Sequence, residues 1–232
     1  MRRRENAIEK YYLRSIFVLL MATLTVILSV SPVFSDTSGI SLGKNYVVVK
    51  GGIFAPGSTD LKGFGTGFNG EVGYGRYINP YFALEFGLGY YQTSNSVSAT
   101  ESSGSDYMSG TAKLDLWVIP ATLAVKLIYP IQQCELYALG GAGAYFVNSK
   151  FSYSGTATIG GQTYNGSSSS NSNTAAFGGF AGAGANFNFT NNWYIGAEGK
   201  YLWTRPTLSF EGTDVTANLY GWIVTGNVGY KF

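Results

Sequence analysis

The chain contains no histidine and a single cysteine, Cys134, among its 232 residues. The first absence excludes a Ser-His-Asp hydrolase, a Cys-His nucleophile pair and a metal site built on imidazoles. The second excludes an intramolecular disulfide. Charge is scarce too: Asp, Glu, Lys and Arg make up 12% of the sequence, about half the ~25% of an average soluble domain. The formal net charge of +2 leaves no basic footprint for nucleic acid. Mean hydropathy is only +0.06, far below that of a helical membrane protein of this length. What is abundant is glycine, at 32 residues, and aromatics, with 18 Tyr and 15 Phe. A disordered chain lacks that aromatic content. The remaining class is a β-protein with one greasy face and one face rich in Gly and polar groups.

The N-terminus reads as an address. Arg2, Arg3, Arg4, Lys10 and Arg14 precede an apolar run from Ile16 to Val30, followed by Ser31-Pro32-Val33-Phe34-Ser35. A positive region, an apolar core and short residues before a cleavage point at Asp36 make a signal peptide. A membrane anchor is the competing reading, but the run is short of the ~20 residues a spanning helix needs and holds Thr23, Thr25 and Ser29. The expectation is a cleaved signal over 1–35 and an exported β-barrel over 36–232, near neutrality once the leader is gone.

Past Asp36 the pattern is alternation with a period of two. It is clearest in Tyr81–Tyr91, Asp115–Tyr129 and Trp193–Trp203, and weaker in Tyr46–Phe54, Gly70–Ile78, Glu135–Val147, Ala175–Phe189 and Asn218–Phe232. Tight turns carrying Asn, Pro or Gln (Ile78–Tyr81, Tyr129–Gln133, Thr190–Trp193) alternate with long polar stretches at Ala55–Asn69, Gln92–Leu114, Asn148–Thr174 and Thr204–Ala217. Short turns on one rim and long loops on the other is the layout of a barrel that crosses a membrane. A bilayer core gives an open sheet edge no hydrogen-bond partner, so the sheet must close on itself. The expected fold is all-β, a closed antiparallel transmembrane barrel of eight strands. A hairpin at Thr156–Thr163, around Gly160-Gly161, projects outward in this reading; if it spans instead, the barrel has ten strands.

Three stretches carry a likeness. Ile78-Asn79-Pro80-Tyr81-Phe82-Ala83-Leu84-Glu85 is a turn leading into a strand, Asn192-Trp193-Tyr194-Ile195-Gly196-Ala197-Glu198 reads as a second copy, and Trp222–Phe232 alternates to a terminal Phe. The chain resembles the small outer-membrane β-barrel family of Gram-negative bacteria, with its OmpX/Ail-type proteins and the OmpA membrane domain. The likeness implies an outer-membrane location, with lipid and lipopolysaccharide as surroundings. It also implies that Val228, Tyr230 and Phe232 form the signal read by the barrel-assembly machinery. The lipid A-modifying barrels of similar size use a His that this chain lacks, so an enzyme is not expected, and no cofactor or metal is called for.

With the apolar face toward lipid, Lys50, Glu71, Glu85, Lys126, Glu198 and Lys200 point inward. These are three cations and three anions in a lumen just wide enough for side chains to fill. Buried charges must pair there, unless they line a hydrated pore. Aromatics beside the turns, C-terminus and loops (Tyr81, Tyr129, Trp193, Tyr194, Tyr230 and Phe232; Tyr90, Trp117, Tyr145, Trp203 and Trp222) read as two interfacial girdles. Glycines crowd strands five and six, where no Lys-Ser/Thr follows to make a phosphate loop. Lys62, Lys113, Lys150 and Arg205 flank the outer rim, where lipopolysaccharide phosphates or plain water would meet them. The function expected is a non-enzymatic surface protein whose loops serve envelope integrity or contact with a host or matrix ligand. The alternative is a narrow channel for small or hydrophobic solutes.

Overall fold

Alternating sequences form strands, and in a hydrocarbon layer every strand must find a neighbour on both sides. The computed structural model describes residues 44–103, 106–210 and 213–232; the signal peptide expected over 1–35 lies outside the described residues. The strands are β1 (Asn45–Pro56), β2 (Gly67–Asn79), β3 (Phe82–Ser103), β4 (Asp106–Ile131), β5 (Cys134–Ile159), β6 (Gln162–Asn188), β7 (Trp193–Thr204), β8 (Thr207–Phe210), β9 (Thr213–Thr216) and β10 (Leu219–Lys231). Eight of them close into a barrel in the order β1-β10-β7-β6-β5-β4-β3-β2, and β8-β9 is a separate small hairpin. All neighbours are antiparallel, and the ring shuts where Tyr46–Pro56 of β1 pairs with Lys231–Gly221 of β10.

One expectation holds and one is corrected. The Thr156–Thr163 hairpin is the tip of β5 and β6, which pair without a slip from Cys134↔Phe187 to Ile159↔Gln162. It adds no further spanning pair, and the ten-stranded alternative falls. Gly160 and Gly161 make its turn at φ 59° and 81°, a region closed to most side chains. The stretches Gln92–Leu114 and Asn148–Thr174 are not loops but strand for nearly their whole length. β3 to β6 run 22, 26, 26 and 27 residues, against 12 or 13 in β1, β2, β7 and β10. The excess raises a four-stranded sheet roughly 40 Å along its strands beyond the barrel rim, at ~3.3 Å per residue. Pairing with β2 stops at Asn69↔Tyr91 and pairing with β7 at Gly178↔Thr204, so the projecting sheet has two lateral edges.

Pro120 lies inside β4, where a proline would usually break the ladder because it has no N–H. The β3–β4 pairing is accordingly interrupted between Leu88↔Ala121 and Tyr91↔Val118, with the register unchanged across the gap. Pro120 also sits beside Gly89, on which an added Cβ would lie 3.0 Å from the proline ring.

Candidate functional site: the charged lumen

The side-chain period of two turns every second residue into the barrel. The register places Lys50 opposite Glu71, and the six expected residues meet across the lumen. Lys50 Nζ lies 2.9 Å from Glu71, 2.8 Å from Glu85 and 2.9 Å from Glu198. Lys126 approaches Glu85 at 2.5 Å and Glu198 at 3.8 Å. Lys200 pairs with Glu71 and stands 3.7 Å from Glu198. The side chains are between 0% and 7% exposed, so these contacts are not solvated surface pairs.

Two tyrosines complete the cluster. Tyr46 donates its hydroxyl to Glu85 at 2.8 Å, and Tyr137 donates to Glu198 at 3.1 Å. Lys126 Nζ lies 4.5 Å from the centre of the Tyr137 ring, a cation–π contact that lends further support to a desolvated cation. Glycine makes room for the carboxylates: a Cβ on Gly87 would sit 3.3 Å from Glu71 Oε1, and one on Gly73 3.3 Å from Glu85 Cδ. Three cations and three anions sum to zero, so the desolvation of each charge is offset locally. The array is a neutral, saturated plug with no unpaired group to bind a charged solute.

A second ionic layer lies nearer the short turns, and the sequence reading missed it. Lys231 Nζ meets Glu135 at 2.5 Å and Asn188 Oδ1 at 2.8 Å, while Tyr77 donates to Glu135 at 3.0 Å. The Tyr77 and Tyr194 ring centres lie 5.2 Å and 5.3 Å from the same ammonium. Both charges sit at strand ends, where the alternation is read together with the turn. Counting back along β10 would have found Lys231, because it shares its face with Thr225 and Asn227.

Apolar and aromatic layers fill the lumen on either side of the six charges. Phe54 and Tyr91 pack at 4.6 Å between ring centres on the loop side, and Tyr46 and Tyr77 at 5.3 Å on the turn side. Tyr145 and Tyr194 belong to these layers, at 2% and 1% exposed, and not to the girdles. Their parity points them inward, and a partner-lined lumen takes an aromatic ring as readily as lipid does. Tyr81, Tyr129, Trp193, Trp203 and Trp222 do face outward.

The loop-side mouth is capped. The β1–β2 connection turns through a 3-10 segment, Thr59–Leu61, that buries Leu61. Thr93 donates to Gly65 O at 2.5 Å, and Asp60 accepts from the backbone N and side-chain amide of Asn218 at 2.7 and 2.8 Å. Of the rim cations, Lys113 pairs with Asp115 at 2.8 Å and Arg205 donates to the Tyr220 hydroxyl at 2.7 Å, while Lys62 and Lys150 are exposed. On the outer face of β10, Val228 and Phe232 are exposed. Tyr230 packs on Trp193 at 4.9 Å and stacks on Phe232 at 6.3 Å.

The sequence matches the family described as "Outer membrane protein beta-barrel domain" over residues 20–232. No curated protein matches it. Among solved structures it is similar to Ail, the attachment invasion locus protein of Yersinia pestis, at 18% identity and a TM-score of 0.43 over 83% of this chain and 100% of that one. Neisserial surface protein A is similar at 18% identity and a TM-score of 0.41, covering 84% of this chain and 100% of that one. OprG from Pseudomonas aeruginosa is similar at 10% identity and a TM-score of 0.47, covering 85% and 99%. With its family matched across most of its length and its eight strands closed into a ring, the chain belongs to the outer membrane protein β-barrel family and resides in the outer membrane.

Proposed function

We propose that the protein is a closed, non-enzymatic anchor that holds a surface-contact element above the outer membrane, for envelope integrity or adhesion. The observation that carries this reading is Lys50, a fully buried cation bound to carboxylates from β2, β3 and β7. Those contacts span the lumen, and a plug of this kind leaves ions no hydrated path. The contact element is the projecting β3–β6 sheet, since function gathers on segments held out by a rigid scaffold. A host or matrix ligand would meet it there. Lys62, Lys113, Lys150 and Arg205 stand where lipopolysaccharide phosphates would lie, and residues 1–35 act as the export signal.

Planar-bilayer recording tests the closed barrel. The wild type should show no large, steady ohmic steps, and Glu85→Ala, which strips Lys50 and Lys126 of a shared partner, should leak ions or lose heat stability. Large wild-type steps that Glu85→Ala leaves unchanged would instead establish the channel for small solutes.

Assembly has its own test. In this reading Val228, Tyr230 and Phe232 are the outward-facing residues that the assembly machinery reads on β10. Phe232→Ala should reduce the heat-modifiable barrel recovered from outer membranes, with total synthesis unchanged. Undiminished recovery would remove the assembly role.

A further inference from the structure

Above the rim the projecting sheet exchanges the barrel's apolar outer face for a polar one. Register runs without a slip from turn to tip in all three pairings of β3 to β6, so each face can be followed upward. Inside the membrane the outer face is apolar, while the inner face carries the six charges between buried apolar and aromatic layers. Above the rim the outer face turns to hydroxyls and amides, with cross-strand pairs at Ser98–Thr111 (2.9 Å) and Thr156–Asn165 (2.8 Å). The inner face, which looks over the barrel's own mouth, sets exposed apolar side chains among glycines and serines. Val97, Met108, Tyr153 and Tyr164 stand on it at 62%, 57%, 47% and 58% exposed. A water-facing sheet has no folding reason to turn its apolar side to solvent, and exposed patches of this kind mark interaction surfaces.

The patch has a centre. Ala99, Gly110, Gly155 and Gly166 lie side by side in one row across all four strands. Tyr153 leans across it, its hydroxyl beside Gly110 and Gly155, whereas nothing lies within 4 Å of a Cβ added to Gly166. Four residues toward the tip β3 ends at Ser103, and four residues toward the barrel lies Asn95, next to Ser94, whose carbonyl accepts from Gly65 of the mouth cap. The exposed face therefore extends equally above and below the glycine row.

We infer that this face is the docking surface for a second copy of the same sheet presented from an opposing membrane. Two such sheets are related by a two-fold axis along the glycine row, one tip pointing up and the other down. The inference rests on the surface-contact reading above. Symmetry about the row lets each tip reach the other's mouth cap without entering it. An isologous contact needs a patch that tolerates itself, and this face carries carboxylates only at Glu101 on the edge strand and Asp106 at the tip. Asp106 is engaged by the Gly160 N–H at 3.0 Å. A copy in the same membrane cannot pair this way, because its barrel would have to occupy the place of the first. Four strands at ~4.8 Å and nine residues at ~3.3 Å give about 570 Å² per sheet. Twice that is near ~1,000 Å², the lower bound for a specific interface. A contact of that size is weak singly and holds through many copies on each surface.

Vesicles of phosphatidylcholine carrying the full-length barrel provide the test, with clustering followed by light scattering. Protein-bearing vesicles should cluster with one another and not with bare vesicles. Across the two-fold axis Gly166 faces its own counterpart, so Gly166→Glu on both sides should slow clustering at least about tenfold through like-charge repulsion. Gly166→Lys on both sides should do the same. Mixing Glu vesicles with Lys vesicles should restore it. Ser167→Glu, one residue away on the hydroxyl face, should cluster as wild type, and heat-modifiability reports that each variant has folded. Clustering with bare vesicles would assign the face to lipid and overturn the inference. So would failure to cluster at all, or an opposite-charge mixture that stays apart. A barrel that does not conduct and does not cluster keeps the anchor reading while removing this one.

Discussion

Lys50→Met should destabilise the barrel by about 3–5 kcal/mol, the range for removing one partner of a buried ion pair. The readout is a large fall in the temperature or urea concentration at which the heat-modifiable form unfolds. The reason is how the remaining charges are left. Glu71 keeps Lys200 and Glu85 keeps Lys126. Glu198 is left with cations no nearer than 3.7 and 3.8 Å and the Tyr137 hydroxyl at 3.1 Å, while its own side chain is fully buried. Three carboxylates then share two ammonium groups, and the uncompensated one is Glu198.

A second substitution identifies that charge. Lys50→Met combined with Glu198→Gln restores neutrality and should recover most of the loss, although Glu198→Gln alone strands a cation and should itself be costly. Non-additivity of this kind is what a double-mutant cycle measures for residues in one network. Additive losses would mean that water has entered and that the charges act separately. The plug would then be a lining, and the closed-lumen reading would lose its basis.

The barrel and its six charges were legible because alternation in the spanning strands has strong contrast. Phe82, Leu84, Phe86 and Leu88 against Ala83, Glu85, Gly87 and Gly89 leaves one phase, and Glu85 falls inside. The projecting sheet was not legible because the phase inverts at the rim. In Ser96-Val97-Ser98-Ala99 the apolar residues occupy the parity that faces the lumen in the membrane, so a reader following lipid-facing residues sees the pattern end. Asn165–Asn173 has no contrast at all, yet it pairs along its full length with Asn148–Thr156 of β5. Its strand is set by the backbone ladder of the neighbour, not by its own side chains. Lys231 and Glu135 were missed for a different reason: both stand beside turns, where a charge is expected to be solvated. What buries them is the pair of rings from Tyr77 and Tyr194, and ring positions inside a closed cylinder follow only from the register.

Gly75→Ala is expected to be nearly as damaging as the loss of Lys50, although it adds a single methyl group. Gly75 is directly opposite Tyr46 in the β1–β2 ladder, and a Cβ there would sit 2.1 Å from Tyr46 Cζ. The ring cannot step aside freely. It is 2% exposed and packs against Tyr77 and Tyr194 at 5.3 and 6.3 Å. Its hydroxyl is held by Glu85 at 2.8 Å. Overpacking alone costs ~1–3 kcal/mol, and moving the ring also gives up a hydrogen bond to a charged group, ~1.5–3 kcal/mol. The sum is about 2.5–6 kcal/mol. Gly229→Ala separates the two contributions, since its Cβ would meet the Tyr194 ring at the same 2.1 Å but Tyr194 hydrogen-bonds to none of the six charges. It should therefore cost only the packing part, ~1–3 kcal/mol. Tyr46→Ala in the Gly75→Ala background removes the clash and should recover part of the loss, whereas Tyr46→Ala alone destabilises by leaving Glu85 one donor short. Urea unfolding of the four variants decides the matter. Equal losses for Gly75→Ala and Gly229→Ala would mean that the Tyr46 hydroxyl adds nothing to the plug and that the six charges stand without it.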